Sequence, residues 1–416
     1  MTALGAARAH WRDPLYRQSY LMLASTGVAA GTGLLFWVVA AHRVAPEVLG
    51  LAAGLFSANA FLSYLTGFAL PFAMLRYGAA DEGVTARLNA GLHFSAVTSV
   101  VAALVFGFAA PVVSPALVSY VDGWLDLVLF ALAGVGAAAA VLVDNLLAAR
   151  RRAGVVLARN TAAGLLKLAP LAVVTDPRGL YLAVTLPALC TVAVVLLAMP
   201  RLIPGYRLLA PYGDDPAVRE LADFAWRNTP GSLLSGAPQF ALPLVAVNVL
   251  GAHRNAFFHV AWSLSQIAYL VPAVVSNIAL AQATAGSAGE TARRGLRFAL
   301  LLLVPAMPVI VAPGWLLALY GAEYGERAAD PLRLLLVGAV PWAVVIIVQA
   351  RLRTEHRFGT LTALTGGFCA AALAVPVLAA FRWGVNGMAA GWLAAVGGAA
   401  AVSWIRASRA RTRVAP

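Results

Sequence analysis

Lysine is almost missing from this 416-residue chain: Lys167 stands alone against twenty-nine arginines. Charge of any sign is scarce, at 11% of residues, where a soluble domain carries about 25%. A chain so poor in charge, and 61% hydrophobic, cannot bury its apolar surface in one core, so the bilayer must act as its solvent. Cysteine is limited to Cys190 and Cys369, both inside apolar runs. That argues against a disulfide framework and leaves two small apolar core residues. The six histidines are dispersed, so no metal site is expected. There is no glycine loop ending in Lys-Ser or Lys-Thr and no nucleophile elbow, so the chain carries no recognisable ATP-driven engine or hydrolase centre. The net charge of +13 would suggest nucleic acid in a soluble protein. In a membrane protein it reflects arginines that orient cytoplasmic loops, and no nucleic-acid partner is expected.

What the chain does have is a series of long apolar runs. Twelve spans are read, at about 19–41, 49–75, 88–110, 124–149, 160–175, 179–199, 224–250, 256–280, 298–319, 331–350, 360–380 and 384–404. A helix needs about 20 residues to cross the roughly 30 Å hydrocarbon core. The first run is too long for a signal-peptide core and is expected to stay as the first transmembrane helix. The arginines alternate between connections. Twenty-two fall on the side of the N-terminal segment, from Arg8, Arg12 and Arg17 to Arg406, Arg409, Arg411 and Arg413 in the tail. The opposite side holds only Arg43, Arg178, Arg254, Arg327 and Arg382, while Lys167, Arg227 and Arg333 lie within spans. Cytoplasmic loops are the arginine-rich ones. The pattern therefore predicts both termini in the cytoplasm, and the Ala, Gly, Arg and Val bias suits a bacterial cytoplasmic (inner) membrane.

The fold class expected is all-α integral membrane protein, with twelve transmembrane helices in two six-helix bundles. Residues 1–200 form the first bundle, 201–223 a cytoplasmic linker, and 224–416 the second bundle with a short basic tail. The halves echo each other: Arg17-Gln18-Ser19 opens the first and Arg227-Asn228-Thr229 the second. About thirty residues later each half has a short turn and a new helix, near Gly50 and Ala256. Six helices per half give both halves one orientation, hence a parallel pseudo-twofold repeat.

The opening carries a resemblance. Asp13-Pro14-Leu15-Tyr16-Arg17-Gln18-Ser19-Tyr20 leads into a helix with Gly31, Gly33 and Phe36-Trp37, then a turn and Pro46-Glu47-Val48-Leu49-Gly50-Leu51-Ala52. This resembles Wzx-type polysaccharide (O-antigen) flippases of the multidrug/oligosaccharidyl-lipid/polysaccharide exporter superfamily. The resemblance implies a transporter rather than an enzyme, with a central cavity between its two bundles. It implies a polyprenyl-pyrophosphate-linked oligosaccharide as cargo, moved by alternating access in polysaccharide and lipopolysaccharide biosynthesis. Membrane lipids and a polysaccharide polymerase or glycosyltransferases are the partners that follow. No cofactor is expected, and transport would draw on a proton or sodium gradient, the membrane potential or cargo consumption.

Within that frame a few residues stand out. Lys167 lies eight residues beyond Arg159, about 12 Å along a helix, and Asp144 six residues before Arg150, about 9 Å. Adjacent helices would put them at similar depth as a Lys–Asp pair. Such a pair serves either to hold an acidic cargo group or to join neighbouring helices, and Lys167 can also snorkel to the interface. Arg17, Arg76, Arg227 and Asn228 sit at the inner ends of the first, second and seventh spans. Guanidinium groups there suit phosphate oxygens, though positive-inside placement accounts for arginines equally. Asp223, one turn before Arg227, offers it an ordinary helical partner. Pro230, Pro238 and Pro243 in the seventh span predict a bent or broken helix that could gate. Asn59, Ser63, Tyr64, His93, Asn248, His259, Ser263 and Gln266 either line a hydrated path or join helices. Two other functions stay open: a drug/cation antiporter, which needs a membrane-embedded acid, and a polysaccharide polymerase or ligase, which needs a sizeable external loop.

Overall fold

A computed structural model of the chain describes residues 14–282, 288–355 and 357–412, with side chains described for 17–276, 290–355, 357 and 359–406. Among these residues there is helix and turn but no strand. The main helices are α1 (Pro14–Arg43), α2 (Pro46–Thr66), α3 (Leu70–Tyr77), α4 (Val84–Val113), α5 (Trp124–Ala149), α6 (Ala153–Leu166), α7 (Pro177–Leu202), α8 (Pro216–Leu250), α9 (Ala252–Gln282), α10 (Ala288–Leu303), α11 (Ala329–Thr354) and α12 (Phe358–Thr412). Arg8, Arg12, Arg409, Arg411 and Arg413 lie outside the residues whose side chains are described.

Eleven segments of the described residues are long and apolar enough to span a membrane. The last, Gly359–Arg406, has 48 residues, about 72 Å at helical rise. That is more than twice the hydrocarbon thickness. It resolves into two spans because Gly384 breaks it, with φ 55° and ψ −132°. Twelve spans result, matching the sequence reading. The two arms of the α12 hairpin then meet backbone to backbone. A Cβ on Gly387 would lie 2.1 Å from the Ala379 carbonyl oxygen, and one on Gly391 2.5 Å from the Pro376 Cα. Small residues at helical spacing are what lets membrane helices approach this closely.

The chain divides into two compact units. One holds residues 1–40 and 55–233, the other 41–54 and 234–416. The division cuts through α8 after Leu233 rather than falling in the 201–223 connection. The connection is no free linker. Tyr206 is buried and donates to Asn89 Oδ1 at 2.7 Å, while Asn89 Nδ2 donates to the Arg207 and Ala210 carbonyls at 3.0 Å. Burial pushes the Tyr206 phenol up to about 12, so it stays a neutral donor at any physiological pH. Arg87, itself buried, reaches Glu220 at 3.2 Å. These bonds tie the connection and the start of α8 to α4.

In the first unit α5 is the central helix, with Leu142, Val143, Leu146 and Leu147 fully buried against Met74 of α3, Leu88 of α4 and Met199 of α7. Its neighbour α4 shows the inverted pattern of a membrane helix. Val97, Val101, Val105, Phe108 and Val112 form an exposed apolar stripe, while Ser95, Ser99, Ala103, Phe106 and Ala110 face inward. Both sets follow the three-and-four spacing of one helix face, and the outward one is the apolar one because lipid is the solvent.

The second unit is built around aromatics. Trp392 of α12 is fully buried, packs edge-on against Trp262 at 4.9 Å, and donates from Nε1 to the Tyr269 hydroxyl at 2.9 Å. Tyr269 donates in turn to the Leu335 carbonyl at 2.9 Å, a contact that Gly338 makes room for. The first turns of α2 and α9, the helices the sequence repeat equates, pack together here. Asn255 Nδ2 donates to the Gly50 carbonyl at 2.8 Å, and a Cβ on Gly50 would overlap the Ala252 carbonyl oxygen.

Candidate substrate-contact site

The cationic residues expected to meet cargo all belong to the first unit. At one corner, α2 ends and Phe68 and Ala69 adopt positive φ of 46° and 53°, a conformation that costs residues other than glycine. The break starts α3 and carries Arg76 to α8. The Arg76 guanidinium lies 5.1 Å from the Phe224 ring centre and 5.4 Å from that of Tyr77, and the two rings meet edge to face at 5.6 Å. Arg227 follows Phe224 by one turn of α8 and pairs with Asp223 at 2.8 Å, the ordinary partner foreseen for it. Asn228, beside it, donates to the Phe224 carbonyl at 2.8 Å. Arg76, Arg227 and Asn228 are therefore gathered around Phe224, and all three are exposed. Arg17 is exposed as well but belongs elsewhere: its neighbour Gln18 accepts from the Ala153 amide at 2.9 Å, beside the α5–α6 turn.

The expected Lys167–Asp144 pair does not form. Asp144 takes two bonds from Arg159, Nε to Oδ1 at 2.9 Å and Nη2 to Oδ2 at 2.5 Å. The Arg159 side chain is 5% exposed and that of Asp144 19%. Arg159 Nη2 also donates to Asn160 Oδ1 at 2.9 Å, and Asn160 Nδ2 donates to Ser25 Oγ at 2.8 Å. One buried network thus joins α5, α6 and α1. The reason lies in where α6 begins. It starts at Ala153, seven residues before the expected span. Arg159 therefore stands about 9 Å into α6, level with Asp144 about 7.5 Å from the end of α5, while Lys167 stands about 21 Å along. Arg159 counted as a loop charge in the sequence. Its place inside a helix was missed, although an Asp and an Arg-Asn pair flanking one short turn carry that signal.

Lys167 closes α6 and is half-buried. One turn earlier, Gly164 faces Thr32 of α1, and a Cβ there would lie 2.5 Å from the Thr32 hydroxyl. Among the described residues no carboxylate pairs with Lys167.

The prolines do not break their helix. Pro230, Pro238 and Pro243 all lie in α8, which is helical from Pro216 to Leu250. Prolines are tolerated in membrane helices because neighbours re-satisfy the freed backbone groups. The division between units falls between Pro230 and Pro238. Two of the other polar residues join helices, and others bond the connection or their own helix. Asn59 is buried and donates to the Phe130 carbonyl at 3.0 Å, the Tyr64 hydroxyl donates to the Ser232 carbonyl, and His93 bonds the Tyr212 hydroxyl at 2.6 Å. His259 is buried, with Ser263 Oγ at 3.4 Å from its Nε2. Asn248 donates to the Leu244 carbonyl at 3.0 Å within α8. Among the described residues no group of histidine, cysteine and acidic side chains could hold a metal ion.

The sequence matches no protein-family model and no curated protein. Its fold does match solved structures. An inward-facing multidrug resistance MATE family transporter of the MOP superfamily aligns with a TM-score of 0.65 at 14% identity, over 95% of this chain and all of that one. The lipid II flippase MurJ in an inward closed conformation gives 0.67 at 10% identity, over 94% of this chain and 87% of that one. A MOP superfamily transporter from Pyrococcus furiosus, described as having a binding pocket of reverse polarity that suggests a different function, gives 0.57 at 14% identity, over 97% and 96%. This chain has the fold of these transporters along nearly its whole length.

Proposed function

We propose that this chain, built on the fold shared by multidrug extruders and a lipid II flippase, is an exporter of that superfamily. Its cargo is a polyprenyl-pyrophosphate-linked oligosaccharide, moved from the inner to the outer leaflet of a bacterial cytoplasmic membrane. The observation that carries this reading is the state of Asp144. A drug/cation antiporter needs a membrane-embedded acid free to exchange a proton or cation. Among the described residues Asp144 is the only carboxylate well inside a span, and Arg159 holds it by both oxygens. The positions left to meet cargo are cationic and polar: Lys167 in α6, Arg76, Arg227 and Asn228 around Phe224, and Arg17. Guanidinium and ammonium groups suit a pyrophosphate. In this reading Lys167 takes a headgroup anion as it passes, and the Pro230–Pro243 stretch of α8 flexes as the protein alternates between access states.

The test is leaflet exchange of a fluorescent polyprenyl-pyrophosphate oligosaccharide in proteoliposomes. The expected outcome is exchange by the wild type that Lys167→Ala abolishes without loss of protein from the membrane. Cation–proton antiport in place of lipid exchange would overturn the proposal, and full exchange by Lys167→Ala would return that residue to a structural role. Pro238→Ala, which restores a backbone donor to α8, is expected to slow exchange while leaving the folded yield unchanged.

A further inference from the structure

Three of the five arginines on the sparse side of the alternation meet in one place. Arg254, Arg327 and Arg382 line a cavity of about 470 Å³ in the second unit. It lies among the first turn of α9, the short helix Ala322–Arg327 and the Gly384 turn of the α12 hairpin. Trp383, Asn386 and two carboxylates share its wall, Glu326 and Asp330, the latter paired with Arg333 at 2.7 Å. The volume is that of a small-molecule site, which runs to about 300–1,000 Å³. Loop orientation does not explain these charges, because the positive-inside tendency removes arginine from this side. Ion pairing explains one of them: Arg327 reaches Glu323 at 3.4 Å and His253 Nε2 at 2.8 Å. Among the described residues Arg254 and Arg382 enter no ion pair. Arg382 instead lies 5.7 Å from the Trp383 ring centre, and Trp383 is 63% exposed.

The backbone assembles this wall. Gly384 adopts φ 55° and ψ −132°, outside what a residue with a Cβ takes without strain. The turn brings Arg382 and Trp383 on one side, and Asn386 on the other, to a single cavity. Arg254 closes over it, with Nη1 3.7 Å from where a Cβ on Gly384 would stand.

We propose that this cavity binds an acidic saccharide, a ring system carrying a carboxylate or phosphate among hydroxyl groups. Arg254 and Arg382 take the anion. The Trp383 face offers a flat apolar platform with a polar edge, and Glu326 and Asn386 exchange hydrogen bonds with hydroxyls. A bare anion gains nothing from the Glu326 carboxylate, whereas a sugar hydroxyl donates to it. By the arginine alternation this end of the chain faces away from the cytoplasm. The site stands apart from the transport reading, since its occupancy is measurable without any transport.

The experiment is calorimetric titration of the full-length protein, held in phosphatidylcholine nanodiscs, with trigalacturonate and with a neutral trisaccharide. Saturable binding of trigalacturonate is expected, weakening with added salt, with little binding of the neutral sugar. Arg254→Ala and Arg382→Ala should each weaken it about tenfold or more, and Trp383→Leu should weaken it too. An Arg254→Lys/Arg382→Lys double variant, which keeps the charge and guards against misfolding, should retain partial affinity. Absence of saturable binding, equal binding of the neutral sugar, or unchanged affinity in both alanine variants overturns the proposal. Loss of trigalacturonate binding when phosphatidylglycerol is added to the nanodisc also overturns it, by giving the cavity to a lipid headgroup.

Discussion

Asp144 and Arg159 show how one residue pair changes a functional reading. In water such a pair on adjacent helices would matter little. Here Arg159 is buried and Asp144 largely so, and removing one partner leaves a desolvated charge, which costs up to about 3–5 kcal/mol. Asp144→Ala is therefore expected to lower the thermal midpoint of the purified protein clearly. Asp144→Leu combined with Arg159→Leu should recover most of the loss, because an apolar pair fills the same space without a stranded charge. The double variant should also keep lipid exchange, since the pair is assigned to architecture. Loss of ion coupling in a variant that still folds would instead return Asp144 to the transport chemistry. The types of residue involved were legible in the sequence, but their partners were not. A shift of seven residues in the start of α6 decides whether Lys167 or Arg159 stands level with the acid, and helix starts are the least determined feature of an apolar run.

At the scale of the element, α12 is the instructive case. The helix runs over residues 359–406, and the break between the two spans read there in the sequence falls at Gly384. The glycines that follow are spaced for packing, with Gly387 and Gly391 set against Ala379 and Pro376. Overfilling a packed interface costs about 1–3 kcal/mol, and here the obstacle is backbone that cannot rotate aside. Gly391→Val is expected to lower folded yield and thermal midpoint markedly, whereas Val substituted at Gly397, which has open space around it, should be tolerated. Equal behaviour of the two variants in a size-exclusion and thermal-melt assay would refute the close hairpin. The prolines of α8 teach the reverse lesson. Their number predicted a bent or broken helix; the helix is not broken, because a membrane helix loses few backbone bonds to proline that its neighbours do not replace.

For the whole molecule, the arginine alternation predicts which end faces the cytoplasm. Single cysteines placed on a background lacking Cys190 and Cys369 test it. Arg207→Cys, in the connection between α7 and α8, should react with an impermeant maleimide only from the cytoplasmic side. Arg178→Cys, at the start of α7, should react only from the outside. Reversed labelling would invert the topology and, with it, the side assigned to the acidic-saccharide cavity. Neither outcome touches the fold, which solved transporters at 10–16% identity share.

Composition and the period of apolar runs determined by themselves that this is a twelve-span helical membrane protein. Those properties reside in single residues summed along the chain, and each span must satisfy its own backbone hydrogen bonds whatever its neighbours do. The tertiary structure alone decided which charges meet. It took Asp144 from Lys167 and gave it to Arg159, packed the connection between α7 and α8 onto α4, and gathered Arg254, Arg327 and Arg382 from three separate helices into one cavity. Pairing depends on depth and helix rotation to within one turn, about 5.4 Å, and no count of residues along an apolar run resolves that distance.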